Sequence, residues 1–193
     1  MRRLPVFCVF PISCSMLNEE REIIEEILAS LLAKLRTDPY ALDTAHLALI
    51  GYNDKTINYK KLTSICEFDT NCLSKFKINE GDEFSDGVLN FVLEALDKDI
   101  QKDTSEIKGD WKPVIVFVFL DSQKNTISQT AIQKFRNHKC STVWSINVGE
   151  NITSSQLEIQ KKITDNILLD NMEFPRLFLW PEEYCDGSIK TFE

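Results

Sequence analysis

Val114-Ile115-Val116-Phe117-Val118-Phe119-Leu120 is the most hydrophobic run in the chain. Its β-branched and aromatic residues, set between Pro113 and Asp121-Ser122, predict a central strand buried on both faces of a parallel sheet. Working outward, Leu4 to Phe10 is a second apolar run, bounded by Pro11, and predicts the first strand. Leu17, Ile23, Ile24, Ile27, Leu28, Leu31, Leu32 and Leu35 then recur at helical spacing, with Glu19, Glu20, Glu22, Glu25 and Glu26 at the start and Lys34 and Arg36 at the end. That charge order suits the helix dipole.

Thr44 to Tyr52 predicts a second strand, Asn53-Asp54-Lys55 a turn, and Ile57 to Phe68 an antiparallel edge strand. A helix is expected over Val88 to Ile100, capped by Ser85 or Asp86, and another over Ile127 to His138. Thr142 to Val148 forms a fifth strand closed by Gly149, residues 154 to 163 a helix, and Ile167 to Leu169 a short last strand. Pro175 and Pro181 keep any helix in the tail brief. Strands alternating with helices imply an α/β, doubly wound, mostly parallel, Rossmann-like sheet with one antiparallel edge strand and helices on both faces. The expected organisation is one domain over 1–193, with its core at about 3–170 and a short tail at 171–193.

A net charge of −8 argues against a nucleic-acid surface, which needs clustered Lys and Arg. The charge keeps the domain soluble, and an acidic patch can also receive a basic partner protein. No segment has the ~20 apolar residues of a membrane span, and Met1 to Phe10 lacks the h-region of a secretory signal. Six cysteines without a CxxC pair and only two histidines, His46 and His138, give no zinc spacing and fit the reducing cytoplasm. Outside a secretory route the sequon Asn151-Ile152-Thr153 has no meaning. Without a phosphate loop, a nucleophile elbow or a His/Asp/Glu cluster, the chain reads as a binding protein and not an enzyme.

Ligands of open α/β sheets bind beyond the carboxyl ends of the central strands. Three loops lie there: Pro11 to Met16, Glu80 to Gly87, and Asp121 to Asn125. Arg2-Arg3-Leu4-Pro5-Val6, Asp38-Pro39-Tyr40-Ala41-Leu42-Asp43-Thr44-Ala45 and Lys108-Gly109-Asp110-Trp111-Lys112-Pro113 occur in an order and spacing that resembles von Willebrand factor A (vWA) domains. The likeness is to the bacterial tellurite-resistance TerY-like branch and covers residues 2 to about 150.

The resemblance implies a metal-ion-dependent adhesion site (MIDAS) built from an Asp-x-Ser-x-Ser loop, a threonine and a further aspartate around Mg²⁺, an ion that takes oxygen ligands. Here Ser13 and Ser15 remain, Pro11 stands at the leading aspartate, and Phe84 stands at the threonine if Gly87 matches the family glycine. A one-residue slip puts Glu83 or Ser85 there instead. Asp121 is kept, with Ser122 in place of the usual glycine. The expectation is a decayed site with no metal or other cofactor, and a partner surface drawn from Ser13, Cys14, Ser15, Glu83, Phe84, Asp121 and Ser122. By the same resemblance the partners are proteins, a PP2C-type phosphatase or a Ser/Thr kinase-like protein, in bacterial stress-response, tellurite-resistance or phage-defence systems.

Other readings stand beside this one. A shifted set of Ser13, Ser15, Glu83 and Asp121 would retain Mg²⁺. Cys14, near a helix N-terminus that lowers a thiol pKa, would serve as a redox or small-molecule sensor. Ser13 and Ser15 would simply cap the first helix, Asp121 would bond loop amides, and Trp111 would pack beneath the sheet edge.

Overall fold

The computed structural model describes residues 2–13, 18–81, 83–102, 104, 108–121, 123–138, 142–149 and 152–168. Its strands are β1 (Leu4–Pro11), β2 (Ala45–Tyr52), β3 (Ile57–Ser64), β4 (Phe84–Ser85), β5 (Val114–Leu120), β6 (Asn125–Thr126), β7 (Thr142–Val148) and β8 (Asn166–Leu168). Its helices are α1 (Asn18–Thr37), α2 (Pro39–Thr44), α3 (Asp86–Asp99), α4 (Gln129–Asn137) and α5 (Ser154–Ile163), with a 3₁₀ turn over Thr70–Lys75. A six-stranded sheet runs in the order β3-β2-β1-β5-β7-β8, all parallel except β3, which is antiparallel to β2.

Side chains alternate across the sheet and divide the core in two. On one face Val6, Cys8, Leu47, Leu49, Val116 and Val118 meet Ile24, Ile27, Leu28, Leu31, Leu32 and Leu35 of α1. On the other, Phe7, Val9, Ile50, Phe117 and Phe119 meet α3, α4 and α5 through residues such as Val92, Phe135 and Ile163. Each buried Leu, Ile or Phe contributes about 1.5–3 kcal/mol of transfer free energy. The doubly wound arrangement and its antiparallel edge are therefore as the hydrophobic pattern predicts.

Several boundaries differ for physical reasons. β3 stops at Ser64, short of the predicted Phe68, because Ile65 and Phe68 turn out of the sheet to pack against α1. From there residues 65–79 run as a strap along the α1 face, and Phe76 lies over Gly51, where a Cβ would stand 2.8 Å from its ring. α2 was not foreseen; Asp38 nucleates it by accepting hydrogen bonds from the Tyr40 and Ala41 amides, with Pro39 in the first turn. Of the two expected caps of α3, Ser85 holds the position but not the bond, and the Asp86 carboxylate instead accepts from the Ser128 amide and hydroxyl, each at 2.7 Å. The last strand is Asn166–Leu168, and Leu169 with the 171–193 tail lies outside the described residues.

The amino end of the sheet is closed by charge. Arg3 donates from Nε and Nη2 to both Asp110 oxygens, at 2.8 and 2.6 Å, and from Nη2 to the Asp99 carbonyl. The Asp110 side chain is 1% exposed. Trp111 donates its amide to the Arg3 carbonyl and packs against the core, with the Arg2 guanidinium 5.1 Å from its ring centroid. The hydrogen bond to Asp110 holds the Arg3 pKa above its ordinary value. The stretches Arg2-Arg3-Leu4-Pro5 and Lys108-Gly109-Asp110-Trp111-Lys112-Pro113 are thus two halves of one clasp.

Candidate functional site

At the opposite, carboxyl edge the loops after β1, β2, β5 and β7 converge with the segment leading into α3. β1 extends through Pro11, which pairs with Tyr52, and the Ile12 amide continues the ladder by donating to the Tyr52 carbonyl at 2.7 Å. Ser13 is 5% exposed and forms a parallel bridge with Asn79 at the end of the strap. The described part of α1 begins at Asn18. Cys14, Ser15 and Ser122 lie outside the described residues.

Phe84, which the vWA resemblance sets at the threonine position if Gly87 matches the family glycine, is fully buried. Its ring sits among Tyr52, Phe117 and Phe119, with centroids at 5.6, 5.5 and 5.0 Å. As a contact residue Phe84 is corrected: its side chain offers no surface and anchors the loop to the core. Because successive residues of a strand face opposite ways, that inward ring turns Ser85 outward. Glu83 is half-buried, and its amide donates to Asp54 Oδ1 at 2.9 Å. Gly81, at φ 85°, is needed here: a Cβ would stand 1.9 Å from the Asp54 carboxylate. Asp121 makes a similar approach to Gly149 at φ 120°, where a Cβ would lie 2.3 Å from Oδ2. Its carboxylate is therefore seated against the end of β7.

Neutral side chains tie these loops together. Buried Asn53 donates to the Ile12 and Lys77 carbonyls and accepts from the Lys55 and Thr56 amides. Gln123 donates to the Tyr52 hydroxyl and accepts from the Leu120 amide. Gln156 in α5 donates to the carbonyls of Leu120, Asp121 and Gln123, at 3.3, 2.7 and 3.2 Å. The Phe84 amide donates to the Lys124 carbonyl, and β4 pairs with β6. Sequence reasoning saw Asn53-Asp54 only as a turn and missed Gln123 and Gln156, since isolated amides carry no spacing signal.

Mg²⁺ wants near-octahedral oxygen coordination. Pro11 has no side-chain oxygen, and Phe84 faces inward. Among the described residues no three His, Cys, Asp or Glu side chains gather to hold a metal ion. At the positions the resemblance assigns, Pro11 and Phe84 bring no oxygen, while Ser13, Glu83 and Asp121 keep theirs.

No protein-family model matches the sequence, and no curated protein matches it. Solved structures do. Proximal thread matrix protein 1 of the mussel byssus superposes with a TM-score of 0.61 at 12% identity, over 91% of this chain and 46% of that one. A von Willebrand factor type A protein of Catenulispora acidiphila gives 0.59 at 14% identity, over 92% and 41%. The SpRpn10 VWA domain gives 0.60 at 11% identity, over 86% and 87%. The chain spans less than half the length of the first two. These likenesses define the fold as that of a vWA domain.

Proposed function

We propose that the chain is a metal-independent protein-interaction module, not an enzyme, whose contact surface is the carboxyl edge of the sheet. The observation that carries this reading is Phe84. Delivering an oxygen ligand at its position would empty a site packed on three aromatic rings. The cross-links through Asn53, Asp54, Gln123 and Gln156 support it, because they fix the loop geometry without an ion. Glu83 and Asp121 are the described candidates for contact, with Cys14, Ser15 and Ser122 nearby in sequence and buried Ser13 beneath them. In this reading the MIDAS has decayed and the protein acts in the cytoplasm.

A net charge of −8 favours protein over nucleic acid as the partner. Among the described residues no helix is long and apolar enough to cross a membrane. The TerY-like resemblance sets the partner class as a PP2C-type phosphatase or Ser/Thr kinase-like protein, in a stress-response, tellurite-resistance-like or defence system. The test is titration of Mg²⁺ and Mn²⁺ by calorimetry, with melting curves alongside. No saturable heat and an unchanged melting temperature are expected. A bound ion at one hundred times its dissociation constant would add about 2.7 kcal/mol of stability and overturn the reading. Glu83→Gln, abolishing that binding, would then identify the shifted ligand set.

A further inference from the structure

A pocket of about 250 Å³ opens away from the carboxyl-edge loops, between α1 and the 65–79 strap. Leu47 and Leu49 of β2 form its floor, Leu28 and Leu32 one wall, and Phe68 and Cys72 the other. All six are at most 5% exposed, so the lining is core surface reached only through the mouth. At the mouth, Ala29 is exposed on α1 and Arg21 pairs with Glu25 at 3.2 Å.

The surroundings of this mouth are asymmetric in charge. Beside the lining stripe of α1 lie Glu22 and Glu26, both exposed and without an ion pair among the described residues. Over residues 19–26 the helix carries five glutamates against one arginine. On the strap side Lys75 pairs with Asp69 at 3.3 Å, Lys60 lies 5.9 Å from the Phe68 ring centroid, and Lys77 is exposed farther along. The field at the mouth is therefore negative on the α1 side.

We infer that this groove is a second docking surface, which takes a basic amphipathic segment of a partner protein. One large apolar side chain of the segment enters between Leu28, Leu32 and Cys72, and its Lys or Arg residues meet Glu22 and Glu26. An apolar anchor in a desolvated pocket supplies the affinity, and the flanking charges set orientation and association rate. The surface is separate from the carboxyl-edge loops, so one chain can hold two partners, as an adaptor must.

The test uses the whole chain and a short synthetic helical peptide with Lys on one face and Leu plus one Trp on the other. Its counterpart replaces every Lys with Glu. Saturable binding of the Lys peptide is expected, with shifts in the methyl signals of Leu47 and Leu49 and no binding of the Glu peptide. Ala29→Trp, which fills the mouth from an exposed position, is expected to weaken binding about tenfold or more. Glu22→Lys with Glu26→Lys is expected to weaken it about tenfold, with the melting temperature preserved. Equal binding of both peptides, absence of binding, or an Ala29→Trp variant that binds like the original would each overturn the proposal.

Discussion

The two ends of the sheet are held by opposite chemistry. At the amino end a charged pair, Arg3 with nearly buried Asp110, joins segments more than one hundred residues apart. At the carboxyl end the ties are neutral amides, Asn53, Gln123 and Gln156, with two carboxylates seated against positive-φ glycines. The sequence stretches with the strongest family likeness lie at the amino end. They report what closes the fold, so the likeness transfers architecture more securely than ligand chemistry.

Breaking the amino end should have the largest effect. Arg3→Ala leaves the buried Asp110 carboxylate with the Gln101 amide as its donor among the described residues, and should cost about 3–5 kcal/mol in urea unfolding. A loss below ~1 kcal/mol would mean that the clasp is not what secures that end. At the carboxyl end, Gln123→Ala removes the donor to the buried Tyr52 hydroxyl and the acceptor of the Leu120 amide, for an expected loss of about 1–3 kcal/mol by the same measurement. Gly149→Ala adds a strained backbone and a clash with Asp121, and should cost about 1–3 kcal/mol. If Gly149→Ala were neutral, the Asp121 carboxylate would have to sit elsewhere.

Alkaline pH sharpens the comparison on the sheet itself. Burial pushes the Cys8 thiol up to about 12 from its ordinary 9.0. The folded state therefore favours the neutral thiol, and stability is unaffected below pH 9 but falls as pH rises from 9 towards 12. Tyr59, raised by burial and by its bond to Asp99, adds to the loss above its ordinary 10.0. Unfolding midpoints should trace this decline, with a shallower slope in Cys8→Ala. At neutral pH an alkylating reagent should reach exposed Cys66 and leave Cys8 untouched. The smallest effect belongs to Arg21→Ala on exposed α1, where the lost pair should change stability by less than ~0.5 kcal/mol.

Much of the fold was legible because burial imposes period and length. Val114–Leu120, Thr142–Val148 and Ser154–Ile163 have the bounds their patterns predict. The pattern misled at Ile65 and Phe68, which stay apolar after leaving the sheet, since hydrophobicity records burial and not which element does the burying. Six-residue α2 was too short to display a period. At the candidate site the loops were correctly placed, yet Phe84 looked like a surface substitution because one apolar residue between Glu83 and Ser85 gives no direction. Its role emerges only from three rings distant in sequence.

The position of β1 in the middle of the sheet bears on how the chain is made. Its two neighbours are β2 and β5, and Val114 follows Pro11 by 103 residues. At 5–20 residues per second the ribosome needs roughly 5–20 s between them. For that interval a buried strand has at least one open edge, and both until Ala45–Tyr52 is made, a template for pairing with another chain. Synthesis of this protein thus passes through a window of aggregation risk that closes only when Val114–Leu120 emerges.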